Sequence, residues 1–259
     1  MKLENKVAIV TGASSGMGAA ITRRFAKEGA SVIAIARRKE KLQSLIDQIN
    51  AEGGKAIAVA GDVSKEEDVR NAVKTAVEKF GKLDIVVNNA GVLDKVDPVA
   101  EMDDETWEKV FAVNVTGPMR VFRAAIPEML KNPGNSEGFG KGAFVTVSSI
   151  AGTFGGRGGP AYTASKHANL GLAKNVAFMY AKKGIRSNVI TPGYVATEMV
   201  ESLPGVNQKG VELASAGVAA NPRMGSADEI ASLALFLASD DASFVNGAVV
   251  AADAGWAAY

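Results

Sequence analysis

The segment Thr11-Gly12-Ala13-Ser14-Ser15-Gly16-Met17-Gly18 constrains this chain more than any other. It stands between an apolar, β-branched run, Val7 to Thr11, and an amphipathic stretch, Met17 to Glu28, where Met17, Ile21 and Phe25 recur four apart. Glycines at a strand-to-helix junction let the backbone turn sharply and come close to a phosphate. The helix that follows offers unpaired N–H groups and the positive end of its dipole. The spacing is G-x-x-x-G-x-G, not the G-x-G-x-x-G fingerprint of dinucleotide sites. The turn alone therefore leaves an ordinary glycine-rich loop open as a second reading.

The alternation continues along the chain. Gly29 ends the first helix, and Ser31 to Ala36 is the next strand. Leu42, Leu45, Ile46 and Ile49 mark a helix, and Ala56 to Ala60 a strand. Val69, Val73, Ala76, Val77 and Phe80 mark the next helix, and Ile85 to Val87 a fourth strand. Further strands read at Ala143 to Val147, Ile185 to Ile190 and Ala248 to Ala252, with a long helix from Ala161 to Lys182. Such a rhythm implies parallel strands joined by right-handed helical crossovers. The strand runs are nearly all apolar, as expected when helices cover both faces of a sheet. The reading is an α/β fold: one domain over residues 1–259, a doubly wound parallel sheet of about seven strands flanked by helices. A chain of 259 residues with 47% apolar and 22% charged residues can fill one such core. Two segments break the rhythm. Lys131 to Gly142 is polar and glycine-rich, hence a surface loop. Tyr194 to Gly225 has little periodicity and follows a strand's carboxyl end, where ligands bind in such sheets, so it is a candidate substrate lid.

Several function classes are excluded or disfavoured. The formal net charge of +1 gives no electrostatic case for nucleic acid or an anionic membrane. The absence of cysteine excludes disulfides, thiolate metal sites and thiol catalysis, and His167, the single histidine, rules out a multi-histidine metal site. No metal is expected. The first residues, MKLENKVAIVTG, lack the apolar stretch of a signal peptide, and no run reaches transmembrane length. A soluble, cytoplasmic protein is expected.

The second strand ends at Ala36-Arg37-Arg38. An acidic residue at that point would bond the ribose 2′-hydroxyl of NAD, whereas arginine accommodates the 2′-phosphate of NADP. Two adjacent guanidiniums suit phosphate geometry, so NADP(H) is expected in preference to NAD(H). Asp62, after the third strand, is positioned to bond an adenine amino group or to cap a helix.

Tyr162-Thr163-Ala164-Ser165-Lys166 opens the long helix, so Tyr162 and Lys166 share a face. Tyrosine ionises near pH 10. A nearby ammonium favours the phenolate, so Tyr162 is expected to titrate lower and to serve as a general acid or base.

TGASSGMG at Thr11–Gly18, NNAG at Asn88–Gly91, Asn114 in FAVNVTG, Ser149 in VTVSSIAG, YTASK at Tyr162–Lys166 and PGYVAT at Pro192–Thr197 occur in order. Together they resemble the short-chain dehydrogenase/reductase superfamily, in its single-domain Rossmann branch of about 250 residues, over nearly the whole chain. The resemblance implies an oxidoreductase that interconverts a carbonyl and a secondary alcohol. It implies a catalytic set of Asn114, Ser149, Tyr162 and Lys166. Ser149, thirteen residues before Tyr162, would bond the substrate oxygen; Ser148 would point to the opposite face. Asn114 would hold a water in a proton relay through Lys166, which would also bond the nicotinamide ribose. It implies cofactor contacts at Gly12, Ser14, Ser15, Gly16, Met17, Gly18, Arg37, Arg38, Asp62, Val63, Asn89, Ala90, Gly91, Tyr162, Lys166, Pro192, Gly193, Val195 and Thr197. Asn88 would tie strands together. A homotetramer, or a dimer, is implied.

The sequence departs from the family pattern at Asp253-Ala254-Gly255, where Asp-Gly-Gly is common, and at Ser15, where many NADP enzymes carry a basic residue. A 3-oxoacyl-(acyl-carrier-protein) reductase is the alternative enzyme, and a dinucleotide-sensing binding protein the alternative outside catalysis. His167 is read as structural, Phe178 and Met179 as core or interface, and Arg157 as a solvated charge.

Overall fold

The computed structural model describes residues 1–135, 139–197 and 205–258. Parts of the loop at 131–142 and of the expected lid at 194–225 lie outside the described residues. The described strands are β1 (Val7–Thr11), β2 (Ser31–Ala36), β3 (Lys55–Ala60), β4 (Ile85–Asn88), β5 (Gly142–Val147), β6 (Ile185–Pro192) and β7 (Val249–Ala252). All pair in parallel in one sheet of order β3-β2-β1-β4-β5-β6-β7. The order reverses direction between β1 and β4, which opens a crevice beyond their carboxyl ends.

Period-two alternation divides the strand side chains between two cores. One face carries Ala8, Val10, Val32, Ala34, Val87 and Val145 against α1 (Gly16–Lys27), α2 (Lys39–Ala51) and α8 (Ala227–Ala238). The other carries Val7, Ile9, Ile33, Val86 and Phe144 against α3 (Glu66–Phe80), α5 (Gly117–Met129) and α6 (Pro160–Tyr180). The expected burial on both faces holds for β1, β4 and β5, whose residues are all buried. It fails at the outermost strands β3 and β7, which lack a neighbour on one side and stay partly exposed.

Two elements interrupt what the sequence suggested. Between α4 (Asp104–Phe111) and α5 the helix passes through a π-helical turn, Ala112–Thr116. The described part of the segment expected to be a lid contains a short helix, α7 (Gln208–Ser215), started by Asn207, whose side chain accepts from Gly210 N. Phe178 and Met179 are not core residues: they are 82% and 58% exposed on α6. No helix of the described residues is long and apolar enough to cross a membrane, and no metal-binding group of His, Asp and Glu occurs among them.

Candidate active site

The glycine turn folds as the junction demanded. Gly12 has φ of +66°, and a Cβ there would lie 2.8 Å from Ala90 Cα on the neighbouring strand's loop. A Cβ at Gly18 would lie 2.3 Å from Gly12 O. Ser15 starts α1 in an extended conformation with no side-chain cap, so the helix N–H groups face the crevice without a side-chain partner from that residue. The bare helix start, together with the tight turn that only glycine permits at Gly12 and Gly18, fits a dinucleotide pyrophosphate.

A cleft of about 410 Å³ gathers most of the expected cofactor residues. Gly12, Ser14, Ser15, Gly16, Met17 and Gly18 line it with Arg37 and Arg38 beyond β2, Asp62 and Val63 beyond β3, Asn89, Ala90 and Gly91 beyond β4, and Thr197 beyond β6. Pro192, Gly193 and Val195 do not line this cleft. Pro192 ends β6, Gly193 N donates to Ala252 O (3.0 Å), and the Val195 side chain is packed into the core. A larger cavity, about 670 Å³, lies at the other end of the strands near Asp84 and Arg186, away from every expected site residue.

Arg38 reaches back over the turn. Its Nε and Nη2 donate to Ser14 Oγ at 3.2 Å, and Nη2 also to Ser15 Oγ. Arg37, exposed, lines the same cleft. Asp62 Oδ1 accepts from Ser64 N (2.9 Å) in a local turn; it does not cap α3, whose N-cap is Lys65. Asn89, not Asn88, is the side chain that ties β4 to β1: its Nδ2 donates to Thr11 O (2.9 Å). Asn88, the last residue of β4, has its side chain buried without a hydrogen-bond partner among the described residues.

The four expected catalytic residues converge at the carboxyl end of β5. Ser149 follows that strand, where its hydroxyl is near enough to the Tyr162 phenol to favour the phenolate. Ser148, one residue earlier, points the other way and donates to the Lys166 carbonyl (2.9 Å). Tyr162 occupies the third position of α6, after a Gly159-Pro160 start. Lys166, one turn on and 4% exposed, places Nζ 5.4 Å from the Tyr162 ring centroid and donates to Val147 O (3.2 Å). Asn114 sits in the π turn; its Oδ1 accepts from Val92 N (2.8 Å), and its Nδ2 donates to Val92 O and Ser165 Oγ, both 2.9 Å. A π turn widens the helix locally and is common at functional sites. His167 Nδ1 lies 3.0 Å from Thr163 O on the exposed side of α6, as a structural histidine would.

The electrostatics differ from expectation. Burial pushes the Tyr162 phenol up to about 12, opposed by the Ser149 hydrogen bond and reinforced by the charge of Asp94. Burial pulls the Lys166 ammonium down to about 8. In the protein alone, desolvation outweighs any help the ammonium gives the phenolate. The pair thus holds a firmly protonated phenol beside a lysine close to its titration point.

Three residues that the motifs did not single out also belong here. Asp94 is buried against the start of α6, where its Oδ2 accepts from Tyr162 N (2.8 Å). Lys109 of α4 lines the cofactor cleft. Arg157, read as solvated, instead stacks over Trp256, 4.3 Å from its ring centroid, while Trp256 Nε1 donates to Gly217 O (2.7 Å).

Comparison with known proteins agrees with this geometry. A family profile described as enoyl-(acyl carrier protein) reductase matches residues 12–257. The 3β-hydroxysteroid dehydrogenase 2 of Eggerthella lenta is 42% identical over 99% of this chain and 96% of its own length. The 3-oxoacyl-(acyl-carrier-protein) reductase of Thermotoga maritima is 37% identical over 98% of this chain and 99% of its own. A crystal structure from Beutenbergia cavernae with NADP bound at low occupancy superposes with a TM-score of 0.86 at 33% identity, covering 100% of this chain and 99% of that one. By fold, by sequence and by the ordered motifs, the chain belongs to the short-chain dehydrogenase/reductase family, whose members bind nicotinamide dinucleotides and act on hydroxyl or carbonyl groups.

Proposed function

We propose that this protein is an NADP(H)-dependent oxidoreductase that interconverts a ketone and a secondary alcohol, with Tyr162 as the proton-transfer residue. The observation that carries the reading is the burial of Tyr162 and Lys166 side by side on one face of α6, with Nζ 5.4 Å from the phenol ring centroid. When bound, the dinucleotide exchanges a hydride with the substrate carbon and, oxidised, brings a positive charge into the site.

The chain's own groups handle the oxygen and its proton. In reduction, Tyr162 gives its proton to the carbonyl oxygen; in oxidation, it takes the hydroxyl proton. The Ser149 hydroxyl bonds the same oxygen and fixes its position. Lys166, easily deprotonated for an ammonium, returns the proton to Tyr162, and the Asn114 turn holds the water that feeds it. The absence of an acid after β2 and the reach of Arg38 to the Ser14 and Ser15 hydroxyls support a 2′-phosphate in the cleft. The described parts of the expected lid, 194–197 and 205–225, lie over the substrate, and the protein occurs in the cytoplasm.

Tyr162→Phe should lower kcat roughly 10²–10⁴-fold, the range general acid–base catalysis supplies, while the dissociation constant for NADP⁺ stays within about threefold by fluorescence titration. Retained turnover would overturn the assignment. The second reading, a 3-oxoacyl reductase, is favoured by the Thermotoga maritima relative. Parallel assays with a 3-hydroxysteroid and a 3-oxoacyl thioester separate the two by kcat/KM.

A further inference from the structure

The start of α6 lacks the cap that such a helix normally carries. Its first flanking position is Gly159, which has no side chain, and Pro160 follows. The missing acceptor comes from Asp94, in the loop after β4. Its Oδ2 accepts from Tyr162 N at 2.8 Å, and its Oδ1 accepts from Val96 N at 3.1 Å. The carboxylate occupies the space of a capping side chain: a Cβ on Gly159 would lie 2.2 Å from Asp94 Oδ1.

The same carboxylate anchors a strained loop. Val96 is β-branched yet has φ of +62°, a conformation that costs such a residue free energy and persists only when its surroundings enforce it. The lid helix α7 rests on that loop. A Cβ on Gly210 would lie 1.8 Å from Val96 O, and Asn207 N donates to Lys95 O (2.9 Å).

We propose that Asp94 is a positioning residue that acts through Tyr162: its carboxylate caps the helix at the residue carrying the phenol, seats the loop beneath α7, and places a negative charge at that residue's backbone N–H. This rests on the assignment of Tyr162 as the proton-transfer residue. The other groups near the phenol are the Ser149 hydroxyl and the Lys166 ammonium. Arg157, in the loop before α6, lies on Trp256. On α7, Lys209 and Glu212 are exposed; on the β4 loop, Lys95 pairs with Asp103 and Asp97 accepts from Asn207 Nδ2.

The charge opposes loss of the phenol's proton, so removing it moves the alkaline rise of the oxidation rate to lower pH. The test measures kcat and kcat/KM for alcohol oxidation against pH in the full-length protein with saturating NADP⁺. Three variants are compared: Asp94→Asn, Asp94→Ala, and the double variant Asp94→Ala with Gly159→Ser, in which serine supplies a neutral cap in the vacated space. Expected are a fall in kcat of tenfold or more in Asp94→Ala, partial recovery in the double variant, and an alkaline rise at least half a pH unit lower in all three. An unmoved pH profile in Asp94→Asn and in the double variant would overturn the proposal. Tyr162→Phe is assayed beside them. If it retains turnover, the underlying assignment of Tyr162 fails; if it is inactive while the profiles do not move, only the role of Asp94 fails.

Discussion

At the scale of single residues, Lys166 shows what the site costs the fold. Its ammonium is buried and titrates near 8 instead of the ordinary 10.5. Between those values the native state binds fewer protons than the unfolded chain, so stability rises as pH climbs from about 8 to about 10. Below pH 8 the full penalty is present, about 3 kcal/mol at 1.36 kcal/mol per pH unit. Lys166→Met keeps the length of the side chain and removes the charge. It should be inactive yet more stable than the wild type at pH 7, by about 2–3 kcal/mol, with the gap closing by pH 10. Thermal denaturation of the cofactor-free protein at both pH values measures this, and equal melting temperatures at pH 7 would show that the ammonium carries no such penalty. Asp94 is buried as well, and two backbone N–H groups, those of Val96 and Tyr162, meet its carboxylate.

At the scale of elements, the proposed preference for NADP(H) rests on the junction of β2 and α2. Arg37 and Arg38 stand at the strand's carboxyl end, and Arg38 bridges to the glycine turn. A charged hydrogen bond contributes about 1.5–3 kcal/mol. Arg37→Asp should therefore lower the NADP/NAD ratio of kcat/KM by roughly 10- to 100-fold; an unchanged ratio would remove Arg37 as the selector. The strands were legible in the sequence because buried parallel strands read as unbroken apolar runs, as in Val7 to Thr11 and Ala143 to Val147. The helices α4, α5 and α8 were not read, although Ser226 and Glu229 form a capping box at α8. The π turn at Asn114 has no periodicity of its own to betray it. Asp94 was invisible for a different reason. Its partner is a backbone N–H lying 68 residues away, and only the uncapped Gly159-Pro160 start hinted that an acceptor must come from elsewhere. The side chain that ties β4 to β1 belongs to Asn89 rather than to Asn88, because motif spacing says nothing about which side chain of a pair faces the neighbouring strand.

At the scale of the whole molecule, α6 carries the Tyr162 site on its buried side and Phe178 and Met179 on its exposed side. Large apolar side chains that far out of the core mark a contact surface when they cluster. We propose that this face pairs with other copies in a homotetramer or dimer. Phe178→Glu should lower the molar mass seen by light scattering, and a wild type that is already monomeric would remove the proposal. The sheet has a further consequence. Its crevice exists only where β4 lies against β1, a junction closed by a hydrogen bond spanning 78 positions from Asn89 to Thr11. Contacts so distant along a chain form late and slowly, because loop closure precedes any gain from pairing. The pocket for the dinucleotide and the centre of the sheet are therefore completed in one event. During refolding, recovery of cofactor fluorescence should report the slowest step of sheet assembly rather than the collapse that precedes it.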